Sequence, residues 1–169
     1  MSRAKRLRQA AILRRRITLI EKIFIPRFKA EMVRMSEQAG QDFQDGGLGR
    51  AEFGLDQHRK NIEGLLVDLY EMSGEISWRY LNNLYGKEKA SMVQALAALA
   101  SDWFMLAFTD AQGIAATTKE FLRATTAKLV SEGVGEVVMG KKIRETMTNM
   151  APWRSRLIAR TESHASVMA

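Results

Sequence analysis

Apolar residues recur along most of the chain at steps of three and four, the spacing of amphipathic helices. The first series covers residues 4–44. Its apolar face is formed by Ile12, Ile17, Ile20, Phe24 and Phe28. Pro26 lies inside this series, and because proline lacks an amide N–H we expect it to kink or divide the helix near Phe24.

Glycines interrupt the pattern after this first helix. Residues 45–49 read Asp-Gly-Gly-Leu-Gly, which predicts a glycine-rich loop over residues 45–56. Residues 57–85 then give the clearest amphipathic pattern, and Gly86 is suited to end that helix. The apolar stripe of this helix consists of Ile62, Leu65, Leu66, Leu69, Met72, Ile76, Tyr80 and Leu84.

Residues 88–108 form a different kind of segment, in which Asp102 is the only charged residue between Ala90 and Phe108. A helix that is apolar on all sides lies in a protein core or in a membrane. The length is near the roughly 20 residues of a membrane span. An aspartate near the centre costs about 2.5–3.5 kcal/mol on insertion. The pattern therefore favours a buried helix, and we do not expect a membrane partner.

The remaining residues also follow helical spacing. One helix is expected to end near Gly133, a shorter one to follow over residues 134–150, and a last one to start at Pro152. No segment shows convincing strand alternation. The sequence thus predicts an all-α, elongated bundle of five to seven helices, divided into an amino-terminal helical arm (residues 1–44), the loop (45–56) and a helical body (57–169).

Composition limits the chemistry available to this chain of 169 residues. It has no cysteine, which excludes disulfides, thiolate metal sites and cysteine catalysis. Its two histidines, His58 and His164, are far apart in sequence. We therefore expect no catalytic residues, no metal and no cofactor, and predict that the protein is not an enzyme.

The charge distribution is more specific. The net charge is +7, from 26 basic and 19 acidic residues. Seven basic residues and no acidic one lie in the first sixteen positions, so the rest of the chain is neutral, with 19 of each sign. Such a segment suits a polyanion, and we predict non-specific contact with double-stranded DNA. The predicted contact residues are Arg3, Lys5, Arg6, Arg8, Arg14, Arg15 and Arg16.

Four features could suggest other chemistry. Gly135–Lys141 matches the G-x-x-x-x-G-K pattern of phosphate-binding loops. However, Lys142 stands where such a loop requires a hydroxyl residue, and the preceding residues read as helix, so the pattern favours a helix–turn–helix corner.

The acids Glu71 and Glu75 lie opposite the apolar stripe and are expected to face solvent. Asp102 is expected to be a buried, paired acid or a partner contact. Trp78, Tyr80, Tyr85, Trp103 and Phe104 could stack on bases, although core packing is favoured.

The carboxy-terminal residues carry a more specific pattern. Arg156, the run Ile158-Ala159-Arg160-Thr161-Glu162 and Ala165 resemble the motif of the head-morphogenesis family of tailed bacteriophages, the Mu F-like minor head proteins. The resemblance covers about residues 110–169. Leu157 stands where the family usually has alanine. Family members usually continue past this motif, so we expect either a short member or the amino-terminal part of a longer product.

The resemblance implies a structural, non-enzymatic component of the virion. Such proteins associate with the portal protein inside the phage head, in several copies, and assist head assembly, genome packaging or ejection; before assembly they are in the host cytoplasm. Arg160 and Glu162 have no oppositely charged neighbour on their own helix, so we expect both to bond outside it. The predicted partner or structural motif is Arg156, Ile158, Arg160, Thr161 and Glu162. Two alternatives stay open: a stand-alone DNA-binding protein and a membrane-active ejection protein.

Overall fold

The structure, a computed structural model, describes the backbone of residues 3–85 and 90–168, and the side chains of residues 7, 8, 10–80 and 99–166. This part of the chain forms three long helices and contains no strand. Helix α1 spans Arg3–Tyr85, α2 spans Ala90–Ser131 and α3 spans Glu136–Met168. The all-α prediction is confirmed.

Helix α1 folds back on itself at two glycines. Gly46 has φ −166° and ψ 17°, and Gly47 has φ 74° and ψ −166°. A positive φ of this size favours glycine because a Cβ atom would clash. The two halves of α1, residues 3–45 and 48–85, then lie antiparallel, as the ion pair between Arg27 and Asp68 shows.

The other two helices pack along this hairpin. Helix α3 lies antiparallel to the first half of α1, and the glycines Gly40 and Gly140 bring the two backbones together. A Cβ atom on Gly40 would lie 2.8 Å from the carbonyl oxygen of Gly140. Helix α2 lies antiparallel to the second half of α1, where Arg123 donates two hydrogen bonds to Glu52. Four helical segments thus alternate in direction, as in an up-and-down bundle.

A single hydrophobic core joins these segments. Both halves of α1 supply most of its large side chains, and α2 and α3 close it. Burial of such side chains stabilises a fold by about 1.5–3 kcal/mol each. The largest fully buried apolar and aromatic side chains are Tyr70, Phe24, Phe28, Ile20, Met35, Leu55, Ile62, Leu66, Leu69, Leu122 and Ile143.

The turn between α2 and α3 follows the common glycine-terminated helix end. The amide of Gly133, at φ 69°, donates to the carbonyl of Val130, and the amide of Val134 donates to Leu129. This pattern satisfies the last carbonyls of α2. The carbonyl oxygen of Gly135 then accepts the first backbone hydrogen bonds of α3. The predicted helix end near Gly133 and the helix–turn–helix corner are therefore confirmed.

The predicted number of helices, five to seven, is wrong. Pro26 and Pro152 both lie inside continuous helices, because packing along a long apolar face outweighs the loss of one hydrogen bond at each proline. The glycine-rich loop expected over residues 45–56 is confined to Gly46 and Gly47, and residues 48–56 are helical. Gly86, the expected helix end, lies outside the described residues.

The expected buried helix at residues 88–108 is also wrong where its side chains are described. Phe104 and Met105 are 54% and 65% exposed, and Asp102 is exposed rather than buried. This segment belongs to α2, and the side of α2 that packs on the bundle is formed here by the buried residues Ala107 and Ala111. Within the described ranges, no helix is long and apolar enough to cross a membrane.

Candidate functional site

The predicted DNA-contact residues lie in the first turns of α1. Arg8, Arg14 and Arg15 are exposed, and Arg16 is half-buried. The side chains of Arg3, Lys5 and Arg6 are outside the described residues, although the backbone is helical from Arg3. Since neighbouring residues of an α-helix point about 100° apart, residues 14–16 spread positive charge around more than half of the helix.

Within the described residues, helix α3 does not reach this basic segment. His164 of α3 lies 3.5 Å from Glu21, and α3 ends four residues later at Met168. Because the helices are antiparallel, residues 3–16 of α1 extend about 20 Å beyond the end of α3. Leu7 in this segment is 64% exposed. The basic segment is thus held on a helix with one side left uncovered by α3.

The second predicted site, the family-like motif in α3, divides into buried and exposed residues. Ile158 is buried in the core, and Glu162 is half-buried. Arg156, Arg160 and Thr161 are exposed, and no ion pair joins either arginine to another described side chain. The buried members hold α3 in place, whereas the exposed members are available to a partner.

Glu162 takes part in a polar cluster that connects all three helices. The fully buried Tyr70 of α1 places its hydroxyl 2.6 Å from Asp110 of α2 and 2.7 Å from Glu162 of α3. A phenol has only one proton to donate. The second short contact therefore needs a proton on one of the two carboxyl groups.

The environment of Glu162 favours such a proton. Burial raises the pKa of Glu162, the nearby Asp110 raises it further, and the hydrogen bond from Tyr70 acts in the opposite direction; the net result is a raised pKa. The pKa of Tyr70 is also raised, by burial and by both carboxylates. Glu162 thus bonds outside its own helix, as expected, but to a tyrosine and beside an acid rather than to a base.

An open groove of about 510 Å³ runs between α2 and α3 over this cluster. Leu157 of α3 lines the groove and is 49% exposed. On the opposite side of the groove, Gly113 of α2 has no side chain to fill it. Arg154 closes one end by donating to the Thr117 hydroxyl and, at 3.4 Å, to the Ile114 carbonyl. The groove follows from a sparse contact between α2 and α3, which both pack mainly on α1.

The features that could have indicated catalysis have ordinary structural roles. Glu71 and Glu75 are exposed, as expected. Gly135–Lys141 starts a helix that is preceded by a helix and not by a strand, so it is not a phosphate-binding loop. Across the described residues, no group of three or more His, Asp or Glu side chains could hold a metal ion. A small cavity of about 10 Å³, lined by residues of all three helices, holds at most one water molecule.

Sequence reasoning missed two polar clusters. One is Tyr70 with Asp110, described above. The other is Glu31, which is almost fully buried and accepts hydrogen bonds from Arg34 and Asn61 and contacts Nδ1 of His58. A signal for it was present, because Glu31 follows Phe28 by three residues and so occupies the core face of α1.

Comparison of the chain with protein-family models, with curated proteins and with solved structures found no match.

Proposed function

We propose that this protein is a structural, non-enzymatic component of a phage head, of the minor head protein type, which binds the portal protein and contacts packaged DNA. The observation that carries the DNA part is the helical basic segment of α1, which extends beyond α3 and exposes Arg8, Arg14 and Arg15. Arginine binds phosphates by charge and by paired hydrogen bonds, without reading base sequence.

The portal part of the proposal rests on the resemblance of residues 156–165. In its support, α3 exposes Arg156, Arg160 and Thr161 while Ile158 and Glu162 fix the helix against the core. Exposed polar residues on a rigid helix suit a protein interface better than a catalytic site. The virion interior near the portal is the corresponding location, with the host cytoplasm before assembly.

DNA binding is tested by measuring the affinity for an arbitrary duplex as a function of salt. Arg14→Ala together with Arg15→Ala should weaken binding and lower the salt slope by about one unit per lost phosphate contact. The matched control is Lys141→Ala with Lys142→Ala, which removes the same charge from exposed positions of α3. Equal loss in both variants would mean that net charge alone, and not the basic segment, binds DNA.

Portal binding is tested by co-sedimentation with a portal protein from the same phage after nuclease treatment. The unchanged chain and the Arg14→Ala, Arg15→Ala variant should both sediment with the portal. Arg160→Ala should not, whereas Lys142→Ala should behave like the unchanged chain. If the unchanged chain fails to sediment with the portal, the minor head protein proposal is wrong. A stand-alone DNA-binding protein is then the better interpretation.

A further inference from the structure

The groove between α2 and α3 has a basic end. The half-buried Arg154 donates from one guanidinium nitrogen, Nη2, to the Thr117 hydroxyl and, at 3.4 Å, to the Ile114 carbonyl. Both acceptors are uncharged, and Arg154 forms no ion pair with any described side chain. Burial lowers the pKa of Arg154, and no described carboxylate offsets this effect. Because a guanidinium has five N–H donors, it can bind a further acceptor in the groove.

The other end of the groove is acidic. Asp110 and Glu162 line it, and both contact the Tyr70 hydroxyl, at 2.6 Å and 2.7 Å. Neither carboxyl group forms an ion pair with a described basic side chain. With one proton between the two carboxyl groups, this end carries one negative charge. Eight helical steps separate Arg154 from Glu162, so the unlike charges lie about 12 Å apart along the groove.

Between its charged ends the groove has apolar walls. Leu157 and Ile158 of α3 line one wall, and Gly113 and Ile114 of α2 line the other. Leu157 is 49% exposed although it lies between two helices, and a Cβ atom on Gly113 would meet open space. The middle of the groove is therefore an apolar surface that the bundle itself leaves uncovered.

The apolar wall on α2 continues beyond the acidic end. Leu106 and Leu99 precede Gly113 by successive steps of seven residues, so all three lie on one side of α2. Leu106 is 40% exposed and Leu99 is 45% exposed. From Thr117 to Leu99 this side of α2 is about 27 Å long, which is the length of a helix of about 18 residues.

We infer that this groove binds an amphipathic helix of the portal protein, an inference that rests on the proposed function. The portal helix packs apolar side chains against Leu157 and places an acidic residue at Arg154 and a basic residue at Glu162. Since these ends lie about 12 Å apart, the two charged residues of the portal helix are about seven or eight positions apart on one face. Thr161, an exposed member of the family-like motif, lines the same groove. The motif and the groove thus form one continuous surface.

Shape and charge favour a helix over other occupants. An extended peptide would leave its backbone groups unpaired, because the backbones of α2 and α3 bond within their own helices, whereas a helix satisfies its own. A small molecule needs a pocket that encloses most of its surface, and this groove is open. DNA phosphates would meet the carboxyl groups of Asp110 and Glu162. A second copy facing the groove across a two-fold axis would present the same concave surface, and the space between the copies would stay unfilled.

Photo-cross-linking tests the place of contact. Benzoylphenylalanine is introduced in place of Leu157, and the full chain is irradiated with the nuclease-treated portal protein of the same phage. Mass spectrometry should locate the cross-link in a portal helix with apolar residues at steps of three and four and with an acid and a base about seven or eight positions apart. The matched control carries the probe at Val138, which is 50% exposed on α3 but about 24 Å from Arg154 along the helix. This control should not cross-link to that portal helix.

The affinity for the portal, measured by co-sedimentation at increasing portal concentration, tests the chemistry of the groove. Leu157→Glu places a charge on the apolar wall and should lower the affinity at least about tenfold. Arg154→Gln and Asp110→Asn each remove the charge from one end and should each lower it about tenfold. The matched control Val138→Glu changes an equally exposed apolar residue of α3 outside the groove and should leave the affinity unchanged.

The failure of this inference is distinguishable from the failure of the proposed function. If the unchanged chain does not bind the portal, the proposed function is wrong and the inference falls with it. If the unchanged chain binds and Leu157→Glu binds equally well, the groove inference alone is overturned. A cross-link from position 157 to a second copy of the chain, or to a portal segment without the acid and the base, overturns it as well. Circular dichroism should show unchanged helix content in Leu157→Glu, because this side chain is exposed, so that variant decides even if Arg154→Gln unfolds.

Discussion

Tyr70 and Glu162 meet where α1 contacts α3, with the tyrosine hydroxyl 2.7 Å from a carboxylate oxygen of Glu162. Because the same hydroxyl lies 2.6 Å from Asp110, this one atom connects the three helices. The contact also explains why a glutamate in the family-like motif is half-buried without a basic partner. Its role in this chain is to hold α3 against the bundle.

The Glu162 carboxyl should make the free energy of unfolding fall as the pH rises above about 4.5. Its pKa in the folded state is raised above the value of 4.5 in the unfolded chain. Its stabilising contribution is therefore fully present below about pH 4.5 and is lost as the pH rises through the folded pKa. We expect Glu162→Gln to remove this loss and to be at least as stable as the unchanged chain at neutral pH.

Urea unfolding at several pH values measures this effect. Glu145→Gln, at an exposed position of the same helix, is the control and should follow the unchanged chain. Tyr70→Phe should lower the free energy of unfolding by about 1–3 kcal/mol, because one carboxyl group loses its hydrogen-bond donor and the other loses the acceptor for its own proton. A Glu162→Gln variant that keeps the original pH profile would show that the proton is not on Glu162.

The buried Glu31 should have the opposite pH dependence. Burial raises its pKa, but contact with His58 and the hydrogen bonds from Asn61 and Arg34 outweigh burial and lower the pKa below 4.5. Its contribution is therefore present above about pH 4.5 and is lost as the pH falls through the folded pKa. Glu31→Gln should lower the free energy of unfolding by about 1.5–3 kcal/mol at neutral pH and should weaken its fall at acidic pH. The exposed control Glu37→Gln should change neither the free energy of unfolding nor its pH dependence.

The close approach of Gly40 and Gly140 predicts a strong effect of added side-chain volume. A Cβ on Gly40 would lie 2.8 Å from both the Gly140 carbonyl and the Cβ of Arg144. Gly40→Ala should therefore push α3 away from α1 and cost about 1–3 kcal/mol. Gly113→Ala, where a Cβ meets open space, should instead stabilise the helix by up to about 1 kcal/mol. Similar unfolding midpoints for the two variants would show that the helices do not touch here.

The sequence was sufficient for fold class but not for helix number, and the reason is physical. Periodicity identifies helices, while Pro26, Pro152 and the glycines after residue 47 carry only local penalties of about 1–3 kcal/mol each. Continuous apolar faces tens of residues long outweigh such penalties, and this balance depends on packing that spacing does not reveal. Gly133 was predicted correctly because a helix-ending glycine acts locally.

The candidate site was predictable to a similar extent. The basic segment is a matter of composition, so its charge and helical spacing could be read directly. The cluster of Tyr70, Asp110 and Glu162 joins residues from three helices, and no local pattern could bring them together. The exposure of Phe104 could not be foreseen either, because it depends on how α2 sits against the hairpin.

The division of the α3 motif into buried and exposed residues allows its two roles to be separated by experiment. Ile158 is 8% exposed, so Ile158→Ala should lower the free energy of unfolding by about 2–4 kcal/mol. Arg160 is exposed and has no described ion-pair partner, so Arg160→Ala should change stability by less than about 0.5 kcal/mol. Loss of portal co-sedimentation in Arg160→Ala, with an unchanged unfolding curve, therefore reports on contact with the partner. If Arg160→Ala instead destabilises the protein as much as Ile158→Ala, the arginine supports the fold, and the exposed half of the motif has no separate binding role.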